Sequence, residues 1–296
     1  MYLILPKLTK AHQTKTRVPE YVMQWSTAAR EYETADERNL TDMVDVIIKV
    51  ANFRADMVSR QDQRNSAFIV SEVLALDAQL IDWASSRTSG YGYQVVSIPK
   101  RTMEVFKSHF FLYSSVRVAA TWDNYRCTRI MLHETLISRL TYLSQLHSNL
   151  DLERQLYESQ IETSRLLIQS MARDVCASVP FYFDFHKRKL NSPTDNPLKT
   201  KAINGNFLLW SLHAVVVAGN MEESMRLWIL GRIQAINEAM GIRHASALVK
   251  LLRARREKMR FDGELGKLID KGGDEWEGAH ANPNTTTTKG FRDLDF

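Results

Sequence analysis

The 296-residue sequence predicts an all-α fold, with a single large multi-helix domain followed by a disordered C-terminal tail. Apolar residues recur at three- and four-residue spacing along most of the chain, which is the spacing of one face of a helix. Only 12 glycines and 7 prolines occur, so the chain has few residues that would separate many short strands. A folded chain of this length withdraws about 75% of its unfolded surface from water, which is enough for one extensive core.

Composition divides the chain into three parts. Residues 1–18 have no periodicity and are interpreted as a flexible N-terminal arm. Residues 19–261 carry the helical patterns without an internal linker, so they are interpreted as one all-helical domain. Residues 262–296 are rich in glycine and acidic residues and contain a run of four threonines. This tail cannot bury enough apolar surface to become ordered.

The first half of the domain contains three predicted helices. Pro19 suits the first turn of a helix, where its missing N–H costs nothing. Thr41 is interpreted as the N-cap of the next helix, whose apolar face runs from 43 to 57. A third helix covers 70–84 and ends in the turn-rich stretch SSRTSGYG. Residues 93–98 could be extended, but an isolated strand has no partner, so we interpret them as a connection.

The second half of the domain contains the longest helical patterns. A helix is predicted from Trp122 to Leu146, and Asp151 is a suitable cap for the one that follows. Pro180 should end that helix, because proline pushes the preceding residue out of the helical region. A polar, proline-bearing loop comes next, and a further helix covers 206–218.

The helix at 206–218 is the most apolar in the sequence. The apolar segment Gly205–Gly219 spans 15 residues, which is shorter than the roughly 20 that cross a bilayer. The pattern therefore predicts a buried core helix and a soluble protein. Trp210 lies within this helix, and a helix that is apolar all round is expected to be buried on all sides. We expect Trp210 to anchor the core.

Residue types that carry chemistry are few and scattered. The two cysteines, Cys127 and Cys176, lie within apolar helical patterns, so each is interpreted as a buried thiol and not as part of a zinc site. No phosphate-binding loop, dinucleotide fingerprint or nucleophile elbow occurs. The histidines considered as ligands lie far apart in the sequence, at His109, His133, His147 and His213. The sequence therefore predicts no catalytic, cofactor-binding or metal-binding residue, and no cofactor.

The net charge of +5 is concentrated in one segment. Between residues 243 and 260 there are seven basic residues and one acidic residue. A polybasic helix face can contact phosphates through salt-dependent attraction, but the aromatic residues that stack on bases are missing from this one. We interpret it as a solvated helix face whose basic side chains cover apolar neighbours. Residues 187–189 (KRK) are either a nuclear import signal or a loop charge cluster.

Four sequence blocks carry a resemblance to a known family. They are WDNYRCTRIMLHETL at 122–136, RDVCASVPFYF at 173–183, GNFLLWSLHAV at 205–215 and MRLWILGRIQAINEAMGIRHASAL at 225–248. Together they resemble the fungal-specific transcription factor domain, which is the effector region of six-cysteine zinc-cluster regulators. The resemblance covers about 115–258, half of the chain, and its specificity lies in the order of the blocks.

The resemblance implies an all-helical regulatory domain that acts in the nucleus without catalysing a reaction. Its partners would be proteins of the transcription machinery or a small effector; a homodimer is allowed and no membrane is involved. Two departures from the family pattern are small. The chain has Leu209-Trp210-Ser211 where the family often reads LLWPL, and Asp184 where a glycine often follows the aromatic run.

The larger departure concerns DNA binding. The family's six-cysteine cluster, its linker and its coiled coil do not occur in the 296 residues. DNA recognition therefore cannot be carried over, and we expect no sequence-specific binding of this chain to duplex DNA. Two explanations stay open: a truncated gene product, or an orphan relative that kept only the effector domain.

Two other classes of function compete with a regulatory domain. The first is an enzyme of an unrecognised all-helical type, which would need several buried carboxylates or histidines converging in one pocket. The second is a helical scaffold protein unrelated to transcription. A six-cysteine cluster encoded just upstream would favour the regulatory domain over the scaffold.

Overall fold

The computed structural model describes residues 4–59, 65–87, 89–100, 102–146, 151–185, 202–219 and 221–240, together with a few positions between 242 and 252. The chain divides into two units, Met1–Val249 and Lys250–Phe296, and the helices and strands given below belong to the first. The interpreted tail at 262–296, most of the basic segment at 243–260, and the KRK stretch at 187–189 lie outside the described residues.

The prediction of an all-α fold is confirmed for the described part of the chain, where helices dominate and the strands form one antiparallel pair. The α-helices are α1 (Ile4–Thr14), α2 (Glu20–Ala29), α3 (Ala35–Ser59), α4 (Ser66–Ser86), α5 (Val116–Leu146), α6 (Asp151–Tyr182), α7 (Ala202–Val217) and α8 (Glu223–Met240). Short 3-10 helices cover Arg30–Tyr32 and Ser89–Tyr91, and the strands are β1 (Tyr93–Ser97) and β2 (His109–Tyr113).

Helix α5 lies at the centre of this unit. All but one of the residues from 118 to 133 are buried, so the helix is covered on every side. Its contacts with α4 give the direction of that neighbour. The rings of Trp83 and Trp122 lie 5.4 Å apart between centroids, and Asp77 reaches Arg129 about two turns further along α5. Helix α4 therefore runs antiparallel to α5.

Helices α6 and α7 cover other sides of α5. Hydrogen bonds join the end of α6 to the start of α5 and the middle of α6 to a later turn of α5, so these two helices are antiparallel. The Cys127 thiol of α5 donates to the Ser211 carbonyl of α7 at 3.8 Å. Gly219, just beyond α7, donates its N–H to Glu134 further along α5 at 2.8 Å, so α7 runs parallel to α5.

The interpretation of residues 1–18 as a flexible arm is wrong for 4–14, which form α1. Leu8 and Ala11 of this helix are 2% and 3% exposed, and Val18 beyond it is also buried. Helix α1 packs on α3, where a ring nitrogen of His12 lies 3.4 Å from the Arg54 guanidinium. The amphipathic pattern of this helix is present in the sequence, but it covers only 11 residues and was missed. A helix this short depends on tertiary contacts for its order.

Helix α3 begins earlier than the interpretation of Thr41 as its N-cap required. The helix starts at Ala35 and Thr34 caps it. The N–H of Glu37 donates to the Thr34 hydroxyl at 3.3 Å, and the N–H of Thr34 donates to the Glu37 carboxylate at 3.0 Å, which is a capping box. Thr41 lies inside the helix and donates to the Glu33 carboxylate instead. The T-x-x-E pattern of this capping box is present in the sequence. It was missed because the residues that follow it are polar and show no apolar helical spacing.

The interpretation of residues 93–98 as a connection is also wrong. Residues 93–97 form β1, which pairs with β2 so that Tyr93 lies opposite Tyr113. Phe110, Phe111 and Tyr113 of β2 are 2%, 3% and 5% exposed. Both faces of β2 are therefore covered, and its apolar run lacks the alternation by which a half-exposed strand is recognised. The partner of β1 was missed for that reason.

The prediction that Pro180 ends its helix is wrong by two residues, because α6 continues to Tyr182. A proline removes one helical hydrogen bond and crowds the carbonyl one turn earlier. Here Phe181 and Tyr182 are 7% and 0% exposed, and the Tyr182 hydroxyl donates to Asp123 of α5 at 3.0 Å. These tertiary contacts hold the last turn in place despite the proline.

Helix α7 forms part of the core, but not on every side. Leu208, Leu212 and Val215 are 0% exposed. Trp210 is only partly buried, so the expectation that this helix is buried all round is wrong at that residue. Its ring stacks on that of His12 in α1, with centroids 6.2 Å apart. Trp210 is therefore a contact between α7 and α1 at the edge of the core.

Replacing tryptophans by alanine should rank them by burial. We expect Trp122→Ala to lower the free energy of unfolding by about 3–5 kcal/mol, because the ring is buried and its N–H is bonded. Trp210→Ala should cost less, about 3 kcal/mol or below, because part of the ring is already in water. Trp25→Ala, at 47% exposure, is the control and should cost under about 1 kcal/mol. Urea denaturation gives the three values, and an equal loss at Trp210 and Trp122 would contradict this ranking.

Candidate functional site

An aspartate, two arginines and a histidine lie on buried positions of α5. Asp123, Arg126, Arg129 and His133 are 0%, 1%, 8% and 4% exposed. Their three- and four-residue spacing places them along one side of the helix. Because charged side chains are seldom fully buried unless they are paired, this line of residues is the strongest candidate for a functional site.

Asp123 and Arg126 form the centre of one polar cluster. The Arg126 guanidinium donates from Nη1 to Asp123 Oδ1 at 3.0 Å and to the hydroxyl of Tyr113 at 2.9 Å. The two oxygens of Asp123 accept from the Ser178 hydroxyl at 2.8 and 2.9 Å, and Oδ2 also accepts from the Tyr182 hydroxyl at 3.0 Å. We name these five residues the Arg126 cluster.

Aromatic rings surround the same guanidinium. The Arg126 Cζ lies 5.3 Å from the ring centroid of Tyr93, 5.0 Å from that of Phe111 and 5.5 Å from that of Trp122. These distances are within the range of cation–π attraction, which gains strength where water is excluded. A second carboxylate, Asp174, lies 3.9 Å from Nε. The guanidinium is thus enclosed by partners from β1, β2, α5 and α6.

Burial affects the pKa values in the Arg126 cluster. It raises the pKa of the Asp123 carboxyl, while Arg126 and the two hydroxyl donors act in the opposite direction. Burial also raises the pKa of Tyr113 and of Tyr182, so both phenols stay neutral and can donate or accept hydrogen bonds. Burial lowers the pKa of Arg126, but Tyr113 and the carboxylates outweigh it and the net shift is upward.

A second cluster joins α5 to α4 and α6. Asp77 of α4 forms a two-pronged ion pair with Arg129, at 2.6 Å from Nε and 2.8 Å from Nη2, and Tyr125 accepts from Nη1 at 3.1 Å. On the other side of Asp77, His133 Nε2 lies 3.3 Å from Oδ2, and His133 Nδ1 lies 3.0 Å from the Ser164 hydroxyl. Burial raises the pKa of the Asp77 carboxyl, but His133 and Arg129 together lower this pKa by a larger amount, so the net shift is downward. We name these five residues the Asp77 cluster.

Ser164, His133 and Asp77 have the residue types of a hydrolytic triad, but their geometry favours packing. In a hydrolytic triad the carboxylate holds one ring nitrogen through a hydrogen bond. Here His133 Nε2 is near Asp77 without the angle of a hydrogen bond, and both Asp77 oxygens are already held by Arg129. Ser164 is 0% exposed, so a substrate cannot reach its hydroxyl in this conformation.

The prediction that the cysteines are buried thiols is confirmed. Cys127 and Cys176 are both free and 0% exposed. Burial raises the pKa of each thiol well above its usual range. Because the thiolate is the reactive form, neither sulfur is poised to act as a nucleophile.

The histidines of the sequence analysis do not come together in the described residues. His109 lies on β2 beside Phe111, His133 belongs to the Asp77 cluster, and His213 lies on α7 beside Trp210. His147 lies outside the described residues. Within the part of the chain that the structure describes, no group of three or more histidine, cysteine or acidic residues has the arrangement of a metal site.

The surface of the unit has three depressions of interest. One lies between the end of α2 and the start of α3, and a second lies over the β1–β2 pair beside Gln94 and Ser114. A third, of about 10 Å³, lies under α1 against His12 and Trp210 and has room for about one water molecule. These places are lined by residues outside the Arg126 and Asp77 clusters, apart from Tyr113 at the strand pair.

No protein-family model, curated protein or solved structure matches this chain. Among the described residues, no helix combines the length and the apolar character needed to cross a bilayer. The resemblance of the four sequence blocks to the fungal-specific transcription factor domain therefore stays an expectation.

Removing the charge of Asp123 should be strongly destabilising. We expect Asp123→Asn to lower the free energy of unfolding by about 3–5 kcal/mol, because it leaves the Arg126 guanidinium buried without its nearest countercharge. The matched control is Asp45→Asn, which breaks an ion pair with Arg30 that is more than one third exposed. That change should cost under about 1 kcal/mol. Equal losses in urea denaturation would contradict this assignment of Arg126.

Stability should fall in acid because of His12. Burial, and then the nearby Arg54 charge, lowers the pKa of His12 to about 3, whereas the unfolded chain has a pKa near 6.5. Below pH 6.5 the unfolded chain binds a proton at His12 that the folded chain does not bind. The contribution of neutral His12 to the free energy of unfolding is therefore fully present above pH 6.5 and declines as the pH falls toward 3. At pH 4.5 the loss should be about 2–3 kcal/mol.

The variant His12→Leu should lack this share of the acid loss. Measuring the free energy of unfolding of each protein at pH 7.5 and pH 4.5, and subtracting, removes the packing change that the substitution itself causes. A His12→Leu protein that loses as much stability as the wild type over this interval would refute the assignment.

Proposed function

We propose that this chain is the effector domain of a fungal zinc-cluster type of transcription regulator, acting in the nucleus through a protein partner or a small effector. The observation that carries the proposal is that the four ordered sequence blocks lie on α5, α6, α7 and α8, and that these helices contact one another. Blocks separated by up to a hundred residues in the sequence are therefore parts of one core.

The contacts between the first two blocks run through the Arg126 cluster. Asp123 and Arg126 come from the block at 122–136, and Ser178 and Tyr182 come from the block at 173–183. The Asp123 carboxylate accepts hydrogen bonds from two hydroxyls and a guanidinium. This limits which residue types can stand at its own position and at the positions of its three donors. The resemblance is thus carried by residues whose identities the core requires.

The third and fourth blocks join the same core. The Ser211 carbonyl in the block at 205–215 accepts from Cys127 in the first block. Arg226, at the start of the fourth block, donates to the carbonyls of Val216 and Ala218 at 2.6 and 2.9 Å. These two hydrogen bonds cap the end of α7 with a cation and connect α8 to α7.

One departure from the family pattern supports the proposal instead of weakening it. Asp184 stands where the family often has a glycine, and its φ is 53°, in the left-handed region that glycine adopts without cost. Asp184 lies just after α6, and its N–H donates to the Phe181 carbonyl at 3.1 Å. Aspartate is one of the few other residues that enter this region, so the same turn can be formed without the glycine.

The state of the reactive groups favours binding over catalysis. An enzyme needs its acid, base or nucleophile in a pocket that a substrate can enter. Here the buried Asp123 and Arg126 are bonded to each other, the buried Arg129 is paired with Asp77 of α4, and both thiols are buried. A regulatory domain needs only a stable core and a surface, and a helical scaffold would need the same. A scaffold protein would differ from a regulatory domain in having no effect on transcription.

A reporter experiment separates the regulatory domain from the scaffold. The full chain is fused to a heterologous DNA-binding domain and tested on a reporter gene in a fungal host. We expect reporter expression to differ from that of the DNA-binding domain alone. The same fusion carrying Asp123→Asn should lose the effect because its core is destabilised, and the fusion carrying Asp45→Asn should keep it.

Immunoblotting must confirm that the wild-type fusion accumulates in the nucleus. The reporter is then measured with and without an extract of cell metabolites added to the medium. If the fusion is present in the nucleus and reporter expression is unchanged under both conditions, the regulatory function is refuted. An effect that Asp123→Asn leaves intact would mean that a segment outside the folded core produces it, which also contradicts the proposal.

A further inference from the structure

The outer edge of strand β1 has backbone groups that no described strand pairs with. The Ile98 N–H donates to the Ser108 carbonyl at 2.8 Å, so these two residues form a bonded pair of the β1–β2 ladder. Bonded pairs alternate along an antiparallel ladder, so Val96 and Gln94 also bond to β2. The N–H and C=O groups of the intervening residues point away from β2. We name these outward groups the β1 edge; they belong to Tyr93, Val95 and Ser97.

Other elements leave the β1 edge open to solvent. Val95, at its middle, is 62% exposed, Ser97 is also exposed, and Tyr93 is partly buried. Within the residues that the structure describes, the sheet consists of β1 and β2, so no third strand lies along this edge. Each outward residue therefore offers one N–H donor and one C=O acceptor to a chain that approaches it.

Strand β1 lacks most of the features by which proteins protect a strand edge. Protected edges carry a charged side chain, a proline or a bulge, or are covered by another element. The residues Tyr93–Ser97 contain no charge and no proline, and each lies opposite one residue of β2 without a bulge. Apart from its short length, β1 is therefore suited to accept a further strand.

Positive charge lies near both ends of the β1 edge. Arg87, before β1, is exposed, and its Cζ lies 4.9 Å from the ring centroid of Trp122, which is 5.1 Å from that of Tyr93. Lys100, shortly after β1, is also exposed. Neither cation forms an ion pair with a described residue, and the sequence from 83 to 103 contains no aspartate or glutamate. The charge around this edge therefore favours an acidic chain and opposes a basic one.

We propose that the β1 edge binds an extended acidic segment of a partner protein, which adds to the β1–β2 pair as a third strand. In this mode of recognition the main-chain hydrogen bonds supply affinity and alternate side chains supply specificity. The partner residue opposite Val95 has its side chain on the same face as that of Val95, so an apolar residue fits there. Acidic residues that flank it meet Arg87 and Lys100. The role of this segment as the partner in transcription rests on the proposed function, but its binding does not.

A second copy of this chain fits the β1 edge less well than an acidic partner does. In an antiparallel pair of two β1 strands, the start of one strand lies at the end of the other, so Arg87 of each copy would come near Lys100 of the other copy. Like charges oppose that arrangement. Two five-residue strands also provide far fewer residues than the roughly 20–30 on each side of a stable interface.

Two peptides test the proposal on the full chain. The probe acetyl-EVTVTVE-amide is an acidic strand-forming peptide, and acetyl-KVTVTVK-amide is its basic counterpart. Titrations followed by ligand-observed nuclear magnetic resonance should give a Kd of about 1 mM or tighter for the acidic peptide, as expected from a few main-chain hydrogen bonds. The basic peptide should bind about tenfold more weakly or worse, because its charges meet Arg87 and Lys100.

Two methylated forms of the acidic peptide distinguish strand addition from other modes of binding. A methyl group on the nitrogen of the central valine removes an N–H that faces β1 when this valine lies opposite Val95. A methyl group on the nitrogen of the preceding threonine lies on the far side of the added strand. We expect the first to weaken binding about tenfold or more and the second to leave Kd within about twofold. Equal effects of the two methyl groups contradict main-chain pairing.

Variants of the chain locate the binding site. Val95→Pro removes one outward N–H but no bond of the β1–β2 ladder, and it should weaken the acidic peptide about tenfold or more. Val95→Thr keeps that N–H and a β-branched side chain, and it should leave Kd within about twofold. Arg87→Gln and Lys100→Gln should each weaken the acidic peptide about twofold to fivefold, whereas the control Lys49→Gln on α3 should not change its Kd. Circular dichroism melting checks the fold of each variant, and the methylated peptides decide if Val95→Pro does not fold.

Several outcomes would overturn the proposal. These are no binding of the acidic peptide, equal binding of the acidic and basic peptides, and unchanged binding to a folded Val95→Pro chain. A dimer in analytical ultracentrifugation that Val95→Pro dissociates would instead assign the β1 edge to a second copy of this chain. The proposed function and the β1 edge fail separately. An active reporter fusion without peptide binding refutes only the β1 edge, and peptide binding without reporter activity refutes only the regulatory function.

Discussion

The burial of Arg126 in the middle of α5 is the constraint on which the rest of the unit depends. A guanidinium removed from water must be paired and hydrogen-bonded. Its partners come from separate elements: Asp123 from its own helix, Tyr113 from β2, and Ser178 and Tyr182 through Asp123 from α6. The register between α5, the end of α6 and the strand pair is therefore fixed by one charge, whereas apolar contacts alone would tolerate small shifts.

The same requirement applies to the second polar cluster of the core. His133, Ser164 and Asp77 are joined to Arg129 and hold α4, α5 and α6 together, and both thiols are buried.

Long helical patterns led to correct predictions, whereas short local signals led to wrong ones where a tertiary contact overrode them. The long helix ending at Leu146 and the burial of the cysteines are examples of the first. Pro180 signals a helix end, but the burial of Tyr182 retains another turn. The strand pair was missed because β2 is covered on both faces. None of the buried charges on α5 was expected in a core, since charge alone predicts exposure.

The sequence by itself determined the helical fold class, because helix periodicity is a local property that survives in any context. It also contained the Thr34–Glu37 capping box, whose two partners are three residues apart. Only the tertiary structure decided that α1 is ordered and that Trp210 is a boundary residue. It also decided that Asp123 finds partners more than fifty residues away on α6 and that Arg126 finds one on β2. The physical reason is that burial and pairing depend on what packs against a residue, and that neighbour is distant in the sequence.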